Sequence, residues 1–233
     1  MIPPIDDPET LRRILVGTEA MLLDFDGPVC SVFAGFPAHV IAEQLRDVLV
    51  QGGHVDLPAA VKGAVDPFAV LFHAATLGEA EARYVEAAFR GLEANAIQSA
   101  KPTPGSNDLI YGWKQSGRSI AVVSNNSEHA VAAYLDIHNL GSVIDVVSAR
   151  SSADVDLLKP NPFLVNQALV QLGIQSTRCI FVGDSVTDVQ AARKAQVPAI
   201  YYANKPSKLA LISNDGPTAI TTSISLLGSL LYQ

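Results

Sequence analysis

Ala20-Met21-Leu22-Leu23-Asp24-Phe25-Asp26-Gly27-Pro28 decides how the chain is read. Leu22 and Leu23 begin a buried strand, expected over about 20–25. The carboxylates Asp24 and Asp26 stand at alternate positions, so they share one face of that strand. Gly27 and Pro28 end it and turn the chain. Two like charges this close are costly unless a cation or a shared proton relieves them. A nucleophilic carboxylate, a proton-transferring carboxylate and a bound Mg2+ would use such an arrangement. Read alone, the stretch is equally a plain strand end with turn residues.

Upstream, Asp7-Pro8-Glu9 is a helix start, with a capping residue ahead of a first-turn proline, and Gly17 is its expected end. Downstream, from Cys30 to about Ser99, the pattern turns helical. Val40, Ile41, Leu45, Val48 and Leu49 form one stripe, and Gly52-Gly53 breaks it. Asp56-Leu57-Pro58 and Asp66-Pro67 read as further helix starts. Thr76 and Glu79 match a capping box, ahead of a stripe of Ala82, Val85, Phe89, Leu92 and Ala96. No period-2 segment interrupts this block.

Beyond Thr103-Pro104-Gly105, apolar strands alternate with helices. Strands are expected at Ser119–Val123, Val143–Val147, Cys179–Val182, Ala199–Tyr202 and Ala219–Ile220. Helices are expected around Val131–Leu135, over Pro160–Leu172, around Val189–Ala195 and from about Ser223 to Leu231. This predicts an α/β fold: a Rossmann-like parallel sheet with helices on both faces, plus a small all-helical insert. The expected division is 1–29 and 101–233 for the core and 30–100 for the inserted helical domain.

The 233 residues are 48% hydrophobic and 17% charged, which suits a globular chain with a sizeable core. A formal charge of -7, with no basic cluster, argues against binding nucleic acid by phosphate neutralisation. Cys30 and Cys179 are the only cysteines, and reduced thiols are the default expectation for them. Acidic residues precede any apolar run, so no signal peptide is expected, and no apolar stretch reaches the length of a membrane span. A cytoplasmic monomer or homodimer without membrane partners follows as the expectation.

In an open parallel sheet, ligands bind outside the carboxyl ends of the strands. Polar groups gather at three such ends: Asp24-Phe25-Asp26, Ser124-Asn125-Asn126, and Gly183-Asp184-Ser185 with Asp188 following. Lys159-Pro160, expected to open a helix, adds a fourth. Four carboxylates, a lysine and a hydroxyl on one edge suit a Mg2+ site that binds phosphate.

These segments resemble, in order and spacing, the four motifs of the haloacid dehalogenase-like hydrolase superfamily, and the resemblance runs from about residue 20 to 202. The insert resembles the cap of its phosphoglycolate phosphatase-like branch. The resemblance implies an Mg2+-dependent phosphatase acting on a small phosphorylated metabolite through an aspartyl-phosphate. It implies Asp24 as nucleophile and Asp26 as acid and base. Ser124, Asn125 and Lys159 would hold the phosphate. Asp24, the Asp26 carbonyl, Asp184 and Asp188 would hold the metal. Pro28 departs from the threonine or valine usual in the family. A phosphomutase of the same superfamily is an alternative, as is a catalytically weak binding module. A Schiff-base role would fall to Lys62, the only lysine of the insert.

The insert has four bases, Arg46, Lys62, Arg83 and Arg90, against eight acidic residues. Any of the four could meet a second anionic group of the substrate. The 52–60 connection with His54 is a candidate specificity loop, and Phe33 and Phe36 are candidates for the hinge side.

Overall fold

The structure is a computed structural model and describes residues 2–212 and 216–232. Helix α1 (Pro8–Val16) starts where expected: Asp7 accepts from Thr10 N at 3.2 Å, and proline opens the first turn. Strand β1 (Ala20–Leu23) follows, then a two-residue strand β2 (Cys30–Ser31). The insert holds α2 (Ala38–Gln51), α3 (Ala59–Lys62), α4 (Pro67–Leu77) and α5 (Glu79–Ile97). A two-residue strand β3 (Lys101–Pro102) leads out of it, into α6 (Ser106–Gln115) and β4 (Ser119–Ser127). Next come α7 (Glu128–Ile137), β5 (Val146–Arg150), α8 (Phe163–Leu172) and β6 (Cys179–Gly183). The chain closes with α9 (Val186–Lys194), β7 (Ala199–Tyr202), α10 (Pro206–Leu209), β8 (Ala219–Thr221) and α11 (Ile224–Ser229).

The main sheet has the order β5-β4-β1-β6-β7-β8, and every neighbouring pair is parallel. β1 therefore lies between β4 and β6, and all four of its residues are buried. That explains its unbroken apolar run, since a parallel strand covered on both faces has no solvent side. The sequence changes direction of winding beside β1, which is where such sheets open a crevice. The helices of the insert form a cap. Its interior is built on Ile41, Leu45, Leu71, Val85 and Phe89, with Phe68 standing edge-on to Phe89 at 5.0 Å. Cys30 and Cys179 are buried and free. Among the described residues, no helix is long and apolar enough to cross a membrane.

Four local expectations need correction. The strand expected at 143–147 is β5, three residues later, because Val143 and Ile144 are taken up in a turn bonded back to Leu140. The helix expected from Pro160 begins at Phe163, after Asn161 accepts from Phe163 N at 2.8 Å. Thr76 and Glu79 form no capping box. Thr76 Oγ1 donates to His73 O inside α4, and Gly78 is the residue that separates α4 from α5. Finally, the insert is bounded by a short antiparallel ribbon, β2 against β3, too short to carry a period-2 signal.

Candidate active site

The site begins one residue past β1. Asp24 N donates to Val182 O at 2.9 Å, so the backbone keeps its strand geometry while the side chain reaches the crevice. Asp24 Oδ1 accepts from Phe25 N at 2.8 Å and from Lys159 Nζ at 2.7 Å. Lys159, only 3% exposed, also donates to Val123 O at 3.2 Å and lies 2.6 Å from Asp188 Oδ1. Its backbone is clamped by Asn125, which donates to Lys159 O at 3.1 Å and accepts from Lys159 N at 2.8 Å. The end of β4 thus fixes the lysine that faces the end of β1.

Asp188 comes from the first turn of α9, where it serves two directions. Its Oδ2 accepts from Ser185 N at 3.0 Å while Ser185 Oγ accepts from Asp188 N at 3.2 Å, a reciprocal cap. Its Oδ1 pairs with the Lys159 ammonium at 2.6 Å, the same ammonium that Asp24 uses. Asp184 precedes α9 and is held by Lys208 Nζ of α10 and by Asn204 Nδ2. The β1 loop comes close to it. Gly27 has φ 125°, and a Cβ there would fall 2.4 Å from the Asp184 carboxylate carbon, so both the backbone and the space demand glycine. Asp26 turns its Oδ1 to Val32 N at 2.9 Å, and Thr103 donates to Gly27 O, tying the loop to the exit of the insert. Ser124 is buried, donating to Asn126 Oδ1 at 3.2 Å and accepting from Asn126 N at 3.0 Å.

Burial, reinforced by the charge of Asp188, holds the Asp24 carboxyl well above its ordinary range, against the pull of Lys159. Burial pushes Asp26 up to about 6, with the Val32 hydrogen bond acting against it. Asp184 is raised by burial and partly restored by Lys208. Burial favours a neutral Lys159, but the carboxylates of Asp188 and Asp24 outweigh it and keep the ammonium charged.

Carboxylate oxygens of Asp24, Asp184 and Asp188 lie within 4.8 Å of one another. Asp24 and Asp188 share the single ammonium of Lys159, and burial together with the neighbouring carboxylates raises Asp24; a hard divalent cation such as Mg2+ would relieve both, so these residues fit one. The Asp26 side chain stands outside that group of three.

The structure brings Asp24, Asp26, Ser124, Asn125, Lys159, Asp184 and Asp188 around one cavity of about 430 Å³, with Ser185 and Thr187 beside them. The facing wall comes from the insert and includes Phe33, with Ala38 and the start of α4; Phe36, the other hinge-side candidate, is not part of it. Arg46, Lys62, Arg83, Arg90 and His54 do not reach this cavity. One contributor escapes a reading of the sequence: Lys208 follows β7 in a stretch with no motif of its own. Asn126, read only as part of the polar end of its strand, holds Ser124 and donates to Glu93 Oε1 at 3.0 Å.

Residues 69–202, more than half of the chain, match the family model of haloacid dehalogenase-like hydrolases. The match begins inside α4, downstream of Asp24 and Asp26. A curated phosphoglycolate phosphatase of Pseudomonas aeruginosa is 28% identical over 177 residues, 75% of this chain and 61% of that one. Its counterpart from Aquifex aeolicus is 30% identical over 112 residues, 48% of this chain and 52% of that one. The chain thus spans between half and two thirds of the length of these relatives. In fold, it is similar to the crystal structure of CbbY from Rhodobacter sphaeroides in complex with phosphate. The TM-score is 0.66 at 19% identity, over 93% of this chain and 100% of that one.

Proposed function

This chain belongs to the haloacid dehalogenase-like hydrolases, and on that premise we propose that it hydrolyses a small-molecule phosphomonoester through a phosphoryl group carried on Asp24. The observation that carries this reading is Lys159, held between Asp24 and Asp188 at 2.7 and 2.6 Å, with Asp26 two residues beyond Asp24. The phosphoglycolate phosphatases among its relatives support phosphomonoester hydrolysis as the reaction class.

Asp24 attacks phosphorus in line, forming a carboxylate oxygen–phosphorus bond as the bond to the alcohol oxygen breaks. Lys159 neutralises the incoming phosphoryl oxygens and orients Asp24. Ser124 turns the hydrogen bond it donates to Asn126 Oδ1 onto a phosphoryl oxygen, keeping its proton, and the Asn125 N–H assists. Asp26 donates a proton to the departing alcohol oxygen. The Asp26 carboxylate then takes a proton from the water that releases inorganic phosphate and restores Asp24. A proton held to about pH 6 suits both halves of that cycle. A Mg2+ on Asp24, Asp184, Asp188 and the Asp26 carbonyl would supply positive charge to the transferring group. Residues 30–100 act as the cap that shields this chemistry from bulk water.

The test is release of inorganic phosphate from a panel of phosphomonoesters by the purified chain, with Mg2+ and with excess chelator. Stoichiometric phosphate and alcohol in Mg2+, lost in chelator and restored by Mg2+, is the expected result. Undiminished turnover in chelator would remove the metal from the proposal. An isomerised phosphate without free phosphate would replace hydrolysis by a mutase reaction.

A further inference from the structure

The cavity is polar on one side only. Its core floor carries the carboxylates and Lys159, whereas the wall supplied by the insert is Phe33, Val65, Pro67, Phe68 and Phe72 around a single charged group, Asp66. The four bases of the insert are engaged or placed elsewhere. Arg46 donates to Ala64 O at 2.7 Å and to Val61 O at 3.4 Å, closing the end of α3. Arg83 pairs with Glu79 at 3.1 Å on an exposed face of α5. Arg90 lines a separate hollow with Glu128 and His129, and Lys62 is exposed at the end of α3. Lys208, which comes to the floor through Asp184, is held by that carboxylate.

We infer that the substrate is a phosphomonoester whose alcohol carries an apolar, preferably aromatic, body and no second acidic group. This rests on the phosphatase reading and names its substrate class. A second carboxylate or phosphate in the cavity would meet phenylalanine faces and the Asp66 carboxylate, losing its hydration with no cation to replace it. An aromatic body would bury against the same rings. The volume of about 430 Å³ falls in the range of roughly 300–1,000 Å³ typical of small-molecule sites, so there is room for a ring beyond the phosphate. Asp66 also caps α4, accepting from Phe68 N at 3.0 Å, so its carboxyl is held in place at the wall.

The test compares benzyl phosphate, ethyl phosphate and phosphoglycolate on the full chain with Mg2+. All three release a primary alcohol, so differences in kcat/KM report the wall and not the ease of bond breaking. Benzyl phosphate is expected to exceed phosphoglycolate by at least about 30-fold. Phe72, 38% exposed, can be truncated with less risk to the fold than Phe68, which packs on Phe89. Phe72→Ala should lower the benzyl-to-ethyl ratio by about 10-fold. Asp66→Asn keeps the cap of α4 and should raise phosphoglycolate turnover several-fold. A preference for phosphoglycolate in the wild type overturns the inference, and loss of that preference in Lys208→Met would show that Lys208 had received the second anion. Calorimetry with benzylphosphonate and phosphonoacetate, which cannot be hydrolysed, separates the two readings. Tighter binding of benzylphosphonate without turnover of any ester sinks the phosphatase and keeps the wall; tighter binding of phosphonoacetate sinks the wall.

Discussion

Two clusters of buried charge sit side by side at the carboxyl edge of the sheet, and they are finished to different degrees. In one, Asp24, Asp184 and Asp188 face Lys159 and Lys208. In the other, Glu86 and Glu93 of α5 face Arg150 at the end of β5. Each has one carboxylate more than it has cations. The second resolves its excess with hydrogen bonds. Arg150 donates to Glu86 at 2.6 Å, to Glu93 at 2.5 Å and to Asn125 O at 3.0 Å. Glu93 accepts further from Asn126 Nδ2 at 3.0 Å and Ser127 N at 3.2 Å. The first makes one ammonium, Lys159, serve both Asp24 and Asp188, and leaves the Asp24 carboxyl raised well above its ordinary range by burial and by Asp188. A buried ionic group with every hydrogen bond made rigidifies a structure, whereas carboxylates crowded on too few cations leave room for a further one.

The sharpest way to break that contrast is Asp24→Asn. Turnover should fall to background while the denaturation midpoint stays level or rises, because the change removes one of three mutually repelling carboxylates. Rapid quench with a radiolabelled phosphoryl donor and peptide mapping should find label on Asp24 in the wild type and none in the variant; label elsewhere would refute the assignment. Asp26→Asn should slow alkyl phosphate turnover by roughly 100- to 10,000-fold. An aryl phosphate, whose leaving group needs little protonation, should lose much less, and equal losses on both would remove Asp26 as the acid.

Arg150→Met probes the finished cluster. It strands two buried glutamates, so stability should drop by about 3–5 kcal/mol in urea denaturation. The further change of both glutamates to glutamine should recover most of that loss. A stable single variant would mean that the second cluster is less closed than its geometry. Smallest is the effect of Mg2+ itself: at about 100 times its Kd it should stabilise the wild type by about 2.7 kcal/mol. Asp184→Asn should weaken that response, and a thermal shift left intact there would move the metal elsewhere.

The three carboxylates and Lys159 of the first cluster were legible in the sequence; Lys208 and the whole second cluster were not. Asp24, Ser124 and Asp184 follow apolar runs directly, so local pattern alone places them at strand ends on one edge. Glu86 and Glu93 stand seven apart in α5, on the same stripe as Ala82, Phe89 and Ala96. That spacing was the available signal, but a carboxylate on an apolar stripe has meaning only once its cation is known. Arg150 stayed hidden because the strand that carries it was expected three residues too early. Lys208 reaches Asp184 across 24 residues of chain through a tertiary contact that no local periodicity encodes. The alternation of strands and helices was readable because burial on both faces of a parallel sheet leaves unbroken apolar runs. The two-residue ribbon at the base of the insert has no such length to show itself.

That ribbon has a consequence for how the molecule can be altered. Cys30–Ser31 and Lys101–Pro102 run antiparallel and touch, so the chain leaves the core and returns to it at nearly the same point. To the core, the whole insert is a loop with its ends already together, and closing a longer or shorter one changes the conformational entropy only slowly with length. A different cap could therefore be grafted between Ser31 and Lys101 to redirect the catalytic edge toward another alcohol. Such a graft would have to bring two acidic groups of its own to Arg150, or else a core arginine made for company would be left buried alone.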